Sequence, residues 1–209
     1  DYEATPNNGG NYATLNPLFQ TGTYSNGNLD LTTTAGNRHY RGTIGVSSGK
    51  WYWEFSPVSG ATPGIIALVN DSAPATQNAN QTGAYAYYSV TGYKQTSGVD
   101  ASYGAGYTYG DVIGVAFDAD NGTLVFYKNG VSQGTAFSGL TSGPYYPACS
   151  AGSSTNTTNF VFNAGARPFA YTPPTGYKSL CTTNLPDPTI ADGSTAFDIV
   201  NETTSVAGS

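Results

Sequence analysis

The sequence has few of the side chains on which most enzyme chemistry depends. It contains one histidine, His39, and two cysteines, Cys149 and Cys181. A site for zinc made of Cys and His needs more ligands than these three residues supply. Nucleophilic catalysis needs a base beside a nucleophile, and no G-x-S-x-G sequence surrounds any serine. We therefore predict a protein that is not an enzyme and that binds no metal or other cofactor.

Charge is also scarce. Charged residues are 10% of the chain, the formal net charge is −6, and the seven basic residues form no run. The sequence therefore has no basic footprint for nucleic acid, and its negative charge disfavours an anionic ligand. No apolar stretch reaches the 18 residues that a membrane helix needs, so no membrane insertion is expected. Methionine is absent and the chain begins at Asp1, which predicts a piece of a larger chain or assembly.

Aromatic residues and turn formers are abundant, with 17 Tyr, 9 Phe, 27 Gly and 12 Pro. Residues 49–56 alternate, so that three aromatic side chains share one face of a strand, and no helical period is found. The continuous apolar run 64–69 predicts a strand that is buried on both faces. These patterns predict an all-β fold, a two-sheet antiparallel β-sandwich. The expected core comprises Trp53, Ile66, Ile113, Val115, Phe117, Leu124 and Phe126.

Composition also divides the chain. Residues 1–10 carry no hydrophobic period and are expected to be a linker, and residues 11–183 are expected to form the sandwich domain. Residues 184–209 are acidic and rich in Ser and Thr, which predicts a linker to a further domain.

Four segments, in a fixed order, resemble the SPRY domain family. They are YRGTIGVSSGKWYWEF (Tyr40 to Phe55), GDVIGVAFDADNGTLVFYKNGVSQGTAF (Gly110 to Phe137), GPYYPACS (Gly143 to Ser150) and NFVFNAGARPFAYTPPTGYKSL (Asn159 to Leu180). The resemblance covers about Leu29 to Cys181. It implies a concanavalin-like jelly roll and a recognition module without catalysis.

In this family, partners dock on loops at one edge of the sandwich. The resemblance places those loops at about 33–39, 70–82 and 151–157, beside a short strand near 84–89 whose tyrosines stand where the family often carries Trp. The candidate ligand-binding residues are His39, Asp71, Gln77, Asn78, Gln81, Tyr85, Tyr87, Ser153 and Asn156. For His39 the alternative is an exposed or edge-strand imidazole. The tyrosines would offer flat apolar area to a sugar ring or a peptide side chain.

Several polar residues allow two interpretations. Glu54 lies mid-strand among aromatic residues; it is either a catalytic acid or, as the resemblance implies, a structural group bonded to backbone or to Arg41. Asp118 and Asp120 fit either a calcium loop or a hairpin turn, and the loop lacks the closing glutamate of an EF-hand. The two cysteines allow one disulfide or two buried thiols.

The flanks carry a second resemblance. NYATLNPL (Asn11 to Leu18) and GYKSLCTTNLPDPTI (Gly176 to Ile190) are similar to segments that bracket SPRY units in virion proteins of tailed phages. This predicts a tail, fibre or head-surface module of an extracellular virion, which binds a host surface glycan or protein or a neighbouring virion subunit. The alternative is an adaptor domain that recognises a peptide in a cellular protein.

Overall fold

A computed structural model describes residues 10–186 of the chain. In that part the secondary structure consists of short strands and a single 3₁₀ turn, Thr182–Asn184. The strands are β1 (Thr23–Ser25), β2 (Asp30–Thr32), β3 (Tyr40–Arg41), β4 (Lys50–Gly60), β5 (Ile65–Asn70), β6 (Ala84–Tyr88), β7 (Lys94–Thr96), β8 (Val99–Ala101), β9 (Ile113–Asp118), β10 (Thr123–Lys128), β11 (Val131–Phe137), β12 (Tyr145–Ser150), β13 (Thr158–Asn163) and β14 (Lys178–Ser179). No helix within these residues is long and apolar enough to cross a membrane.

The strands form two sheets, as the alternating patterns predict. The eight-stranded sheet has the order β1-β2-β13-β4-β9-β10-β11, with β14 beside β4, and the six-stranded sheet has the order β3-β12-β5-β6-β7-β8. All neighbours pair antiparallel except β14, which runs parallel to β4. The two-sheet antiparallel sandwich is thus confirmed. The short strands β1, β7 and β8 were not predicted, because three residues are too few for a period to show.

The main core fills the space between the two sheets. All seven residues predicted for it are 0% exposed. Phe55 on β4 meets both aromatic residues of β13, with ring centroids 6.4 Å from Phe160 and 4.8 Å from Phe162. From the six-stranded sheet, Tyr87 stacks on Phe126 at 5.3 Å. Ring contacts of this kind fix the distance between the sheets as well as contributing buried area.

The outer face of the eight-stranded sheet is covered by residues 164–177, here called the C-terminal cover. Glu54 on β4 holds it, since its carboxylate accepts the backbone N–H groups of Ala170 and Tyr171 at 2.9 and 3.0 Å. The ring of Phe169 meets Tyr52 edge-on at 5.0 Å. This cover therefore combines a charged hydrogen-bond acceptor with aromatic packing.

The outer face of the six-stranded sheet is covered by residues 71–83, here called the loop cover. It encloses a second, smaller core of short side chains: Ile65, Ala67, Val69, Ala73, Ala79, Ala84, Ala86 and Ala148. This explains why all six residues of β5 are buried, as the apolar run predicts. The loop closes where Asn70 N–H donates to the carbonyl of Gly83 at 2.9 Å. Gly83 has φ +72°, and a Cβ there would lie 2.6 Å from Ala73 N, so the closure requires glycine.

The two ends of the described chain pair with each other. Ala13 N–H donates to the Leu180 carbonyl, and Thr182 N–H donates to the Asn11 carbonyl, both at 2.9 Å. The segments that flank the sandwich are therefore part of it. The linkers predicted at the two termini lie almost entirely outside the described residues.

Candidate functional site

A polar groove lies where loop 33–39 meets the loop cover. Its volume is about 310 Å³. The lining residues are Asn37, Thr76, Gln77, Asn78 and Gln81. Three of the predicted site residues, Gln77, Asn78 and Gln81, are therefore brought together. The lining is formed by amide and hydroxyl side chains, which donate and accept hydrogen bonds without carrying charge.

Two tertiary contacts hold the walls of the groove. The amide nitrogen of Asn78 lies 3.3 Å from Oδ1 of Asn37. Beneath them, Nδ1 of His39 lies 3.1 Å from the carbonyl oxygen of Gln77. Nδ1 must carry the proton to donate to this carbonyl, so Nε2 is left as the acceptor. The loop cover is thus fixed to the strand edge at its centre.

His39 itself does not face solvent, and here the sequence interpretation needs correction. Its side chain is 1% exposed, and its ring lies 5.1 Å from the ring of Phe19. Burial lowers the pKa of His39 from 6.5 to about 4, and the nearby Arg41 acts in the same direction. The imidazole is therefore neutral near pH 7 and is a positioning group for Gln77, neither a surface contact nor an exposed edge residue.

Tyr85 and Tyr87 also lie elsewhere than expected. Successive side chains of a strand point to opposite faces, so these two face the inter-sheet core while Ala84 and Ala86 face the loop cover. Tyr87 is 0% exposed, and Tyr85 packs edge-on against Phe137 at 5.4 Å. Neither lines the groove, so the aromatic platform predicted for a partner is not formed by these residues.

The remaining predicted residues lie outside the groove lining. Asp71 is 59% exposed and pairs with Arg41 at 2.8 Å. Ser153 bonds within its own loop to Thr155, and Asn156 lies 3.5 Å from the hydroxyl of Thr62. The strand residues that flank loop 151–157 bond to the other two loops, since Thr158 N–H donates to the Thr33 hydroxyl and Ala79 N–H donates to the Ser150 hydroxyl.

A segment that the sequence analysis did not predict supports the groove from one side. The side chain of Gln20 donates to the carbonyl of Ala75 at 2.8 Å, next to Thr76 in the lining. Phe19 lies below the guanidinium of Arg41, 4.2 Å from ring centroid to Cζ, and Tyr146 stacks on the same guanidinium at 4.2 Å. Residues 16–21 show no alternating pattern that would predict a strand. Their only sequence signal was an aromatic residue, Phe19, close to the amide side chains of Asn16 and Gln20.

Unpartnered polar atoms are concentrated around this groove. Nine buried side-chain nitrogen or oxygen atoms of the described residues make no hydrogen bond. Five of them lie here: Arg38 Nε, His39 Nε2, Arg41 Nε, Gln77 Oε1 and Asn78 Oδ1. Each buried unpaired group costs about 1–3 kcal/mol. These atoms find no partner within the described part of the chain, so solvent or a ligand in the groove has to supply one.

The carboxylates considered for chemistry have structural partners. Glu54 accepts the Tyr52 hydroxyl at 3.1 Å besides its two backbone donors, and burial raises its pKa. It does not reach Arg41, which lies on the other sheet. Asp118 accepts two bonds from Asn121 and pairs with Lys50 at 3.0 Å, so it closes a hairpin turn. No cluster of metal ligands is found among residues 10–186.

Both cysteines are buried free thiols. Cys149 lies in the inter-sheet core, where burial raises the pKa of its thiol, and Cys181 lies 3.3 Å from the Thr183 hydroxyl. The sequence allowed either one disulfide or two buried thiols, and the structure shows two buried thiols.

Comparisons with known proteins agree with this architecture. The SPRY domain family model matches residues 50–167. The E3 ubiquitin-protein ligase RKP of Arabidopsis thaliana is 42% identical over 82 residues, which are 37% of this chain and 6% of the ligase. The chain thus corresponds to a small part of that relative. The crystal structure of the SPRY domain of human HERC1 superposes with a TM-score of 0.64 at 21% identity, covering 74% of this chain and 99% of that chain.

Proposed function

The chain belongs to the SPRY family, and from this premise we propose that it is a non-catalytic protein-recognition module whose groove holds a segment of a partner protein. The observation that carries the proposal is the groove itself, at the edge where two loops meet and lined by four amide side chains. Side-chain amides match the donors and acceptors of a peptide backbone in both polarity and spacing. A partner segment would form hydrogen bonds here without a change in charge.

The geometry favours a peptide over a sugar. Protein sites for sugar rings use flat aromatic side chains, and the two tyrosines expected to serve this purpose face the core. No aromatic residue lines the groove. Binding of a host glycan, one of the partners expected from the sequence, therefore has less support than binding of a protein.

The comparisons favour a cellular role over a virion role. The relative with 42% identity over the matched residues is a plant protein, the E3 ubiquitin-protein ligase RKP. We therefore adopt the adaptor interpretation, in which the domain recognises a peptide segment of another protein. The predicted virion location and virion partners rest on the flanking segments alone and stay predictions.

Binding measurements on groove variants test the proposal. Peptides selected from a randomised library on the full chain would be titrated against Asn78→Ala and Gln81→Ala. We expect each change to weaken binding by about tenfold, because each removes hydrogen bonds to the ligand. The matched control is Asn159→Ala, an amide on the eight-stranded sheet that bonds Ser59. Equal effects of the groove and control variants would contradict the proposal.

A further inference from the structure

The negative charge of the chain does not belong to the domain that carries the groove. The described residues contain seven basic and seven acidic side chains, so residues 10–186 are formally neutral. The other six acids are Asp1, Glu3, Asp187, Asp192, Asp198 and Glu202. The net charge of −6 is therefore no argument against an anionic partner at the groove.

Most basic side chains of the domain are already paired. Four of the seven form ion pairs: Arg41 with Asp71, Lys50 with Asp118, Lys128 with Asp111 and Arg167 with Asp30. Lys94 donates to the Ala136 carbonyl at 2.7 Å. Like Lys94, Arg38 and Lys178 have no acidic partner within the described part of the chain, and of these two only Arg38 is half-buried.

Arg38 adjoins the groove. It precedes His39 and follows Asn37, which lines the groove. Its nitrogen Nη1 makes one long contact, 3.4 Å to Oε1 of Gln20, and its Nε is buried without a partner. The Nε–H therefore has no acceptor among the described residues, and the exposed part of the guanidinium is open to an acceptor from a partner.

We propose that Arg38 is a specificity-determining residue that selects a carboxylate in the partner segment. This inference rests on the proposed function of the groove. A guanidinium binds a carboxylate through two parallel N–H···O bonds, which are stronger than bonds between neutral groups. Asp71, the one acid of the loop cover, is bound to Arg41, and loop 33–39 contains no acid, so neither loop supplies a carboxylate for Arg38. The partner is therefore an acidic peptide segment, with one Asp or Glu beside residues that bond the amides.

Peptides selected on the full chain provide the test. We expect enrichment of Asp or Glu at one position. Arg38→Gln should weaken the selected peptide by roughly tenfold to a hundredfold, with Arg38→Lys in between because it keeps the charge and loses the fork. Replacing the acidic residue of the peptide with its amide should weaken binding by the same factor as Arg38→Gln. Both replacements together should weaken binding little more than either one alone, which would show that the two groups bind each other.

The control is Lys178→Gln, which removes the same charge from the other sheet and should change the affinity less than about twofold. Equal melting temperatures of the Arg38 variants and the wild type would show that folding is intact. Peptides that need Asn78 and Gln81 but tolerate Arg38→Gln would overturn this inference and leave the proposed function standing. A library without any binder that depends on the groove would overturn both.

Discussion

The eight-stranded and six-stranded sheets each have a cover on the outer face, but the two covers leave different groups unpartnered. In the C-terminal cover, the backbone N–H groups of Ala170 and Tyr171 donate to the carboxylate of Glu54, which also accepts a hydrogen bond from the Tyr52 hydroxyl. The loop cover packs short alanine side chains and leaves buried oxygens of Gln77 and Asn78 without partners. The two covers have similar lengths but differ in their hydrogen bonding. No buried polar side-chain atom of the C-terminal cover lacks a hydrogen-bond partner, whereas two such atoms of the loop cover do.

The difference indicates where binding is located. A satisfied cover contributes to the free energy of folding, and a partner would have to replace bonds that already exist. An unsatisfied cover has donors and acceptors that a partner can use without replacing existing bonds. The groove lies on the second kind of cover.

The largest effect should come from the core on which both covers depend. Phe117→Ala removes a ring that is 0% exposed and lies 5.2 Å from the Tyr145 ring across the sandwich. We expect a loss of about 3–5 kcal/mol in the free energy of unfolding, measured by denaturant titration. Binding at the groove and packing of the C-terminal cover should be lost in one transition. Two separate transitions would show that the covers do not share this core.

Acid should destabilise the fold through His39, which joins loop 33–39 to the loop cover. Because burial lowers the pKa of His39 to about 4, the unfolded chain takes up its proton at a higher pH than the folded chain. The free energy of unfolding therefore falls as the pH drops from about 6.5 to about 4, by up to about 3 kcal/mol, and is unaffected above that window.

The variant His39→Gln isolates this effect, because the amide can still donate to the Gln77 carbonyl and does not titrate. The stability of wild type minus that of the variant should decline through the same window. A difference that stays constant from pH 7 to pH 4 would contradict the assignment of His39 as a buried neutral group.

A conservative change should loosen the C-terminal cover alone. Glu54→Gln replaces one acceptor oxygen with an amide nitrogen, so at least one of the three donors to Glu54 loses its partner. We expect a loss of about 2 kcal/mol, measured by thermal or denaturant unfolding, with unchanged peptide affinity. Asp100→Asn, an exposed acid on β8, is the control and should change stability by less than about 0.5 kcal/mol.

The smallest effect on stability is expected at the groove. Asn78→Ala removes an oxygen that has no partner and one long contact to Asn37, 3.3 Å. Removing an unsatisfied group costs little, so the free energy of unfolding should change by less than about 1 kcal/mol. The same variant should lose about tenfold in affinity. A large loss of stability would show that Asn78 supports the fold and is not reserved for a partner.

Part of the candidate site could be predicted from the sequence. Gln77, Asn78 and Gln81 follow from the family resemblance together with their polarity, and they do lie together. Tyr85 and Tyr87 were misplaced because the resemblance puts their strand beside the docking surface, and alternation does not show which face of a strand is the inner one. Gln20 and Phe19 were missed because they act through contacts distant in sequence, such as that of Gln20 with Ala75.

By itself the sequence determined the longer strands, the core residues and the family, but not the three-residue strands β1, β7 and β8. The alternation along 49–56 and the apolar run 64–69 are local properties, and they are enough to predict strands and apolar core positions. The tertiary structure alone decided which segments cover the outer faces and which polar groups lack partners there. That outcome depends on pairs such as His39 and Gln77, which are 38 residues apart. No periodicity encodes such a contact, because it arises only once both sheets have brought their loops to the same edge.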